Sequence, residues 1–146
     1  TELLTAARSL GEPVAVWAGP GYGDEAAAVL GQFGAATVLV ADGAVFADHP
    51  VAPKAELLAS LVAGRSPVAV LIASGADGKE IAGRLAVATG SGVLTDAVGI
   101  ESADGSVTAT NLQGCALQAE GASRAASAMA RMASRCTGVS LKLLTL

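Results

Sequence analysis

The segment 68–88 (VAVLIASGADGKEIAGRLAVA) constrains the fold more than any other part of the sequence. It opens with Val68–Ile72, an unbroken apolar run that is rich in β-branched residues. Such a run has no polar residues that could face solvent, which is typical of a central parallel strand covered on both faces. Ser74–Gly78 (SGADG) then interrupts the run with two glycines. The pattern predicts a buried strand that ends in a glycine-containing turn.

A helix is predicted directly after this turn. Asp77 can accept hydrogen bonds from the free amides of a first helical turn, and Glu80 lies three residues further on, as in a capping box. One apolar stripe then recurs at helical spacing: Ile81, Leu85 and Ala88. Lys79 and Arg84 lie off that stripe and can face water. Strand, turn and helix together make half of a βαβ unit.

The turn allows two interpretations. Free backbone amides at a helix N-terminus attract anions, so Ser74–Lys79 could hold a phosphate or a nucleotide, with Lys79 as the counter-charge. The alternative is a well-capped connection in an α/β domain. We favour the second interpretation because a single Gly-x-x-Gly has little specificity.

The rest of the chain repeats this alternation of apolar runs and helical patterns. The predicted strands are 13–18, 37–41, 68–72 and 92–101, and further helices are predicted over 1–10, 26–33 and 53–63. These spacings are typical of βα units with parallel strands. Asp96 falls inside the last of these strands, where a carboxylate is costly unless it is paired or lies at a strand end. It therefore marks the rim of the sheet or a strand that leaves it, and Val107–Asn111 alternates as an antiparallel strand does.

Composition excludes several classes of protein. The 146 residues suffice for one domain with a core, and 52% are hydrophobic while 3% are aromatic. A net charge of −4 argues against a nucleic-acid binder, which needs a basic surface.

No apolar run approaches the ~20 residues that span a bilayer, and the first residues are unlike a signal peptide, so we expect a cytoplasmic protein without a membrane partner. Cys115 and Cys136 lack metal-like spacing and are expected to be free thiols.

Other candidate sites carry weak signals. Gly19–Gly23 (GPGYG) follows a strand, but its glycines are spaced G-x-G-x-G, and Asp24 and Glu25 would repel a pyrophosphate. His49 is the only histidine and lies before Pro50 in a loop, where we expect it to be solvated. Because no nucleophile, base or metal set converges, we predict no catalytic, cofactor-binding or metal-binding residue in this chain.

Four stretches share a pattern with a known family: 2–16 (ELLTAARSLGEPVAV), 36–42 (ATVLVAD), 76–101 (ADGKEIAGRLAVATGSGVLTDAVGIE) and 142–146 (KLLTL). In this order they resemble the N-terminal domain of the electron-transfer flavoprotein alpha subunit, and an actinobacterial version in particular. The resemblance covers most of residues 2–116 and the last strand. Its most specific part is the block from Asp77 to Arg84 followed by Asp96.

The resemblance implies an α/β fold with a three-layer parallel sheet of the nucleotide-alpha-hydrolase or universal-stress type and extra C-terminal antiparallel strands. It also implies a heterodimer with a beta subunit, in which the alpha subunit carries FAD. Electrons would pass from acyl-CoA dehydrogenases, in fatty acid oxidation, toward a quinone reductase.

The sequence departs from the family pattern in three places. The family begins with an apolar strand beside the 68–72 strand, whereas residue 1 here already lies in the following helix, which would leave backbone groups unpaired. The family's FAD-binding domain follows the final strand, so FAD ligands are expected outside this chain. A longer segment, 120–136, replaces a short hairpin and could form an amphipathic helix. Within it Ser123 and Arg124 match flavin-contacting positions of the family's FAD domain, but the surrounding motifs are absent and we take the match as coincidental.

We therefore interpret residues 1–146 as a single N-terminal-type domain of the alpha subunit, lacking the family's first strand and its C-terminal FAD-binding domain. The first hypothesis is a scaffold and subunit-docking part of an electron-carrier complex, with no catalysis of its own. The second is a small nucleotide-binding module of the universal-stress type. The third is a chain that does not fold stably because a central strand is missing.

Overall fold

The computed structural model describes residues 2–103, 106–111, 116–120 and 141–145, and the side chains of 2–102 and 107–110. Helices and strands alternate in the first part of the chain, and strands predominate in the second. The helices are α1 (Glu2–Ala7), α2 (Asp24–Gln32), α3 (Val45–Asp48), α4 (Ala52–Arg65) and α5 (Ala76–Thr89). The strands are β1 (Val14–Ala18), β2 (Thr37–Ala41), β3 (Val70–Ile72), β4 (Gly92–Leu94), β5 (Ala97–Ala103), β6 (Ser106–Asn111), β7 (Ala116–Glu120) and β8 (Leu141–Thr145).

Within the described residues these strands form three small sheets. β1 and β2 pair in parallel, and β8 lies between β3 and β4, parallel to both. β5, β6 and β7 form an antiparallel sheet in chain order. The α/β class, the parallel pairing and the antiparallel strands toward the C-terminus are confirmed. One continuous three-layer parallel sheet is not seen in the described part of the chain.

Two strands have a ladder on one side only. Among the described residues β1 pairs with β2 alone, and β3 pairs with β8 alone. Their other edges therefore carry backbone N–H and C=O groups that no strand of the described chain covers. The unpaired row of backbone groups expected beside the 68–72 strand stays a prediction.

The best-packed element is the inner face of α5. Leu85 is fully buried with Ala82 and Ala86, and partly buried side chains from α4, β3 and β4 pack around them. A second cluster joins Leu94 and Ala97 to β6. Small alanines at the centre of α5 let the helix lie close to the sheet and to α4.

Several predicted details are wrong. The apolar run is covered only in part: Val68 lies before β3 with 50% of its surface exposed, and Ala88 is exposed on α5. Gly75, rather than Asp77, is the N-cap of α5, so the capping box does not form. Gly64 does not end α4, because the helix continues to Arg65 and a left-handed Ser66 terminates it.

Two predicted elements differ in extent. The 42–53 loop contains the short helix α3, and the strand predicted over 92–101 divides into β4 and β5 at Asp96. The division agrees with the expectation that Asp96 marks a strand leaving the parallel sheet. Among the helices that the structure describes, none combines the length and the apolar character that a membrane crossing requires.

Candidate functional site

The N-terminus of α5 is pressed against the end of β3. At Gly78, in the first turn of the helix, an added Cβ would lie 3.2 Å from Cγ2 of Ile72 and would overlap the carbonyl oxygen of Ala73. Only a residue without Cβ permits this approach of helix to strand. Close packing therefore accounts for the second glycine of the turn without a ligand.

Backbone hydrogen bonds fix the turn itself. The Gly75 N–H donates to the Ala73 carbonyl at 2.8 Å, and the Lys79 N–H donates to the Gly75 carbonyl at 2.9 Å. Gly75 is extended and offers no side-chain cap, while Asp77 places a carboxylate in the first turn, where the helix dipole favours negative charge. The protein thus supplies its own anionic group at this helix end.

Asp96 connects this turn to the strand on the other side of β8. Its Oδ1 accepts hydrogen bonds from the Lys79 ammonium at 2.8 Å and from the Ser74 hydroxyl at 3.1 Å. Its backbone is left-handed, with φ of 58°. Asp tolerates that conformation better than most residues. The three side chains form a cluster, called the Asp96 cluster below, at the carboxyl ends of β3 and β4.

The environment favours the ionised form of Asp96. The hydrogen bond from Lys79, and then the one from Ser74, hold the pKa of the Asp96 carboxyl below its ordinary value. Desolvation raises the pKa and is the next largest effect, and a weaker charge attraction from Lys79 and a hydrogen bond from Thr95 lower it further. The side chains of Lys79 and Asp96 are both 44% exposed, so solvent screens the pair.

This arrangement bears on the hypothesis that Ser74–Lys79 hold a phosphate or a nucleotide. The predicted counter-charge, Lys79, is already engaged by Asp96. A carboxylate beside the turn also opposes a second anion through like-charge repulsion. The geometry therefore favours a structural connection, and nucleotide binding stays a prediction.

The other glycine-rich turn, 19–23, is organised by an aromatic pair. The Trp17 indole N–H donates to the carbonyls of Gly19 at 3.1 Å and Pro20 at 3.3 Å, and its ring meets Tyr22 edge to face at a centroid distance of 5.9 Å. Asp24 and Glu25 lie in the first turn of α2, as the sequence predicted. Their negative charges interact favourably with the helix dipole and would repel a bound phosphate.

The remaining candidates do not converge. His49 is exposed at the C-cap of α3. Ser123, Arg124, Cys115, Cys136 and the predicted 120–136 helix lie outside the described residues. Within the described part of the chain, no group of His, Cys, Asp and Glu could hold a metal ion.

The comparison with protein families decides the family. A model described as the electron transfer flavoprotein domain matches residues 1–135. The chain belongs to this family. The match covers all the helices found in the described residues and β1 to β7, so the packed turn at α5 lies within the family domain.

Two relatives give the same result at the level of individual proteins. The chain is 47% identical over 100 residues to an electron transfer flavoprotein subunit alpha of Mycobacterium tuberculosis, covering 68% of this chain and 31% of that protein. It is 45% identical over 114 residues to the subunit alpha of Mycobacterium leprae, covering 73% of this chain and 36% of that protein. The chain thus spans about a third of the length of the curated relatives it matches.

A cavity lies between α4 and α5. It measures about 130 Å³ and is lined by Ala52, Ala55, Glu56, Ala59, Arg84 and Ala88. Cofactor sites typically enclose roughly 300–1,000 Å³ and carry aromatic walls. This cavity therefore does not fit a flavin cofactor.

Two contacts of Asp96, with Ser74 and with Lys79, were not predicted from the sequence. Ser74 and Asp96 are 22 positions apart, and the expectation that a carboxylate inside a strand needs a partner named neither residue. The topology alone could have indicated these contacts, because the carboxyl ends of the parallel strands in one sheet lie at the same edge of that sheet.

Proposed function

We propose that this chain is the scaffold and subunit-docking part of an electron transfer flavoprotein alpha subunit. In this proposal it serves FAD-mediated electron transfer from acyl-CoA dehydrogenases toward a quinone reductase in the cytoplasm. The observation that carries the proposal is the family match over residues 1–135, joined to two mycobacterial relatives named as alpha subunits. The chain itself would supply geometry, while the flavin supplies the redox chemistry.

The proposed domain organisation follows from the same findings. Residues 1–146 would form a single N-terminal-type domain of the alpha subunit. The aligned part covers 31% and 36% of the two relatives, which agrees with one domain of a longer protein.

A docking role agrees with the surface of the first βα unit. Val14 and Val16 lie on one face of β1 and are 41% and 37% exposed, while Val29 and Phe33 of α2 are also exposed. Exposed apolar groups of this kind are typical of interfaces. We propose the beta subunit of the same organism as the partner, with neither nucleic acid nor membrane involved.

Co-expression with that beta subunit, followed by size-exclusion chromatography with light scattering, tests the proposal. We expect one species whose mass is the sum of both chains. Elution of this 14.2 kDa chain separately from the beta subunit would contradict it.

A matched pair of variants tests the surface. Val16→Glu should weaken the complex at least about tenfold, which corresponds to ~1.4 kcal/mol. Val87→Glu, on an 86% exposed position of α5, should leave the affinity unchanged. Equal affinities for the two variants, with both folded by circular dichroism, would place the interface elsewhere.

A further inference from the structure

The Asp96 cluster lies where the chain passes from one sheet to another. Only Thr95 and Asp96 separate β4, in the parallel sheet, from β5, in the antiparallel sheet. β4 pairs with β8 and β5 pairs with β6, so in the described residues no backbone ladder joins the two sheets at this point. At this point the relative direction of the sheets therefore depends on side chains and on the backbone of this two-residue connection, while elsewhere the two sheets also meet where β7 contacts β8.

Apolar packing across the connection is non-directional. The buried cluster that bridges it contains Leu94, Ala97, Val107 and Ala109. Two of its four buried members are alanines, and Leu10, Leu71 and Ile100, which are partly buried, pack against it. Burial of such surface holds two sheets together, but it fixes their mutual angle poorly, because the hydrophobic effect depends on area rather than on direction.

Directional contacts come from the Asp96 cluster. The carboxylate of Asp96 is bound by Ser74, two residues beyond the end of β3, and by Lys79, in the first turn of α5. Hydrogen bonds that involve charged groups are short and sensitive to geometry. Gly78 lies so close to Ala73 and Ile72 that an added Cβ would overlap the Ala73 carbonyl oxygen, so Lys79 extends from a turn that is packed against the end of β3.

We propose that the Asp96 cluster is a latch that fixes the direction in which the antiparallel sheet β5–β7 leaves the parallel sheet. When the latch is broken, the antiparallel sheet reorients about Thr95 and Asp96 while α5 and its partners stay folded. The latch contributes little to global stability, since its ion pair is half exposed. The latch instead sets the orientation of the antiparallel sheet, and therefore the direction that the exposed Val98 of β5 faces.

Residual dipolar couplings of backbone amides test the latch, because they report the relative orientation of two rigid elements. In the unchanged protein, couplings from α5 and from β5–β6 should fit one common alignment tensor. In Lys79→Met and in Asp96→Gly, which keeps the freedom to adopt positive φ, the common tensor should be lost and β5–β6 should show weaker or differently oriented alignment. Lys79→Arg, which keeps the charge, should retain the common tensor.

Arg84→Met is the matched control. It removes an exposed ion pair with Glu80 on the same helix, 2.8 Å long, that does not reach Asp96. This variant should keep the common tensor. The proposal is overturned if folded Lys79→Met keeps the common tensor with an unchanged orientation, or if Arg84→Met loses it to the same degree. If Asp96→Gly shows no cooperative unfolding in urea, the variant is not folded, and the couplings of Lys79→Met alone test the proposal.

Discussion

Replacing Gly78 by alanine and, separately, Gly83 by alanine should change stability in opposite directions, although both residues lie in α5. At position 83 an added Cβ meets nothing within 4 Å. At position 78 it would overlap the Ala73 carbonyl oxygen and lie 3.1 Å from the Ala73 carbonyl carbon. Both substitutions replace glycine by a better helix former, but only the one at position 78 meets an obstacle.

The magnitudes follow from these surroundings. Alanine in a helix interior is favoured over glycine by roughly 0.5–1 kcal/mol, and Gly83→Ala should gain about that much. Overpacking costs typically ~1–3 kcal/mol, and the upper end applies when the obstacle is backbone rather than a flexible side chain. Gly78→Ala should therefore lower the free energy of unfolding by about 2 kcal/mol after the propensity gain is subtracted.

Urea denaturation followed by the fluorescence of Trp17, the only tryptophan, measures both variants. With a slope of ~2 kcal/mol per molar urea, Gly78→Ala should unfold at about 1 M less urea than the unchanged protein. The reasoning is refuted if Gly78→Ala is as stable as Gly83→Ala. A cooperative transition of the unchanged protein would also dismiss the hypothesis that the chain does not fold stably.

Three further outcomes are expected. The lowered pKa of Asp96 means that its ionised form stabilises the fold above the unfolded value of about 3.9, and this stabilisation is lost as pH falls through the lower folded pKa. Asp96→Asn should lack that part of the acid dependence in urea midpoints measured between about pH 6 and pH 3. Leu85→Ala, at a fully buried position, should cost ~2–5 kcal/mol in urea unfolding, whereas Val87→Ala, 86% exposed, should stay within about 0.5 kcal/mol. Arg84→Met should cost at most ~0.5 kcal/mol by loss of its pair with Glu80, and the difference should vanish in 1 M salt, as checked by parallel melts at about 0.05 M and about 1 M salt.

Local patterns predicted much of the α/β framework. β2 has the bounds predicted from the run 37–41, β1 begins one residue later than predicted, and Pro53 lies at the start of α4 as expected. Ile81 and Leu85 are buried as the helical stripe required. These features depend on side chains within one or two turns of each other, which a single sequence displays directly.

Long-range features could not be predicted in the same way. Nothing near Val70 indicates that β8, some seventy positions later, pairs with β3. Gly75 is the N-cap instead of Asp77, which places Gly78 in the first turn, where its contact is with the end of a strand rather than with the neighbouring sequence. The partners of Asp96 were missed for the same reason, since the fold alone brings Ser74 and Lys79 to it.

Calorimetric titration of the folded protein with ATP and with AMP tests most directly whether the turn between β3 and α5 is a packed connection of a docking scaffold. The account predicts no heat of binding at millimolar nucleotide, because Lys79 is held by Asp96 and the approach at Gly78 is a helix-to-strand contact. Micromolar binding that disappears in Lys79→Ala and in Gly78→Val would contradict it and establish the turn as a nucleotide site.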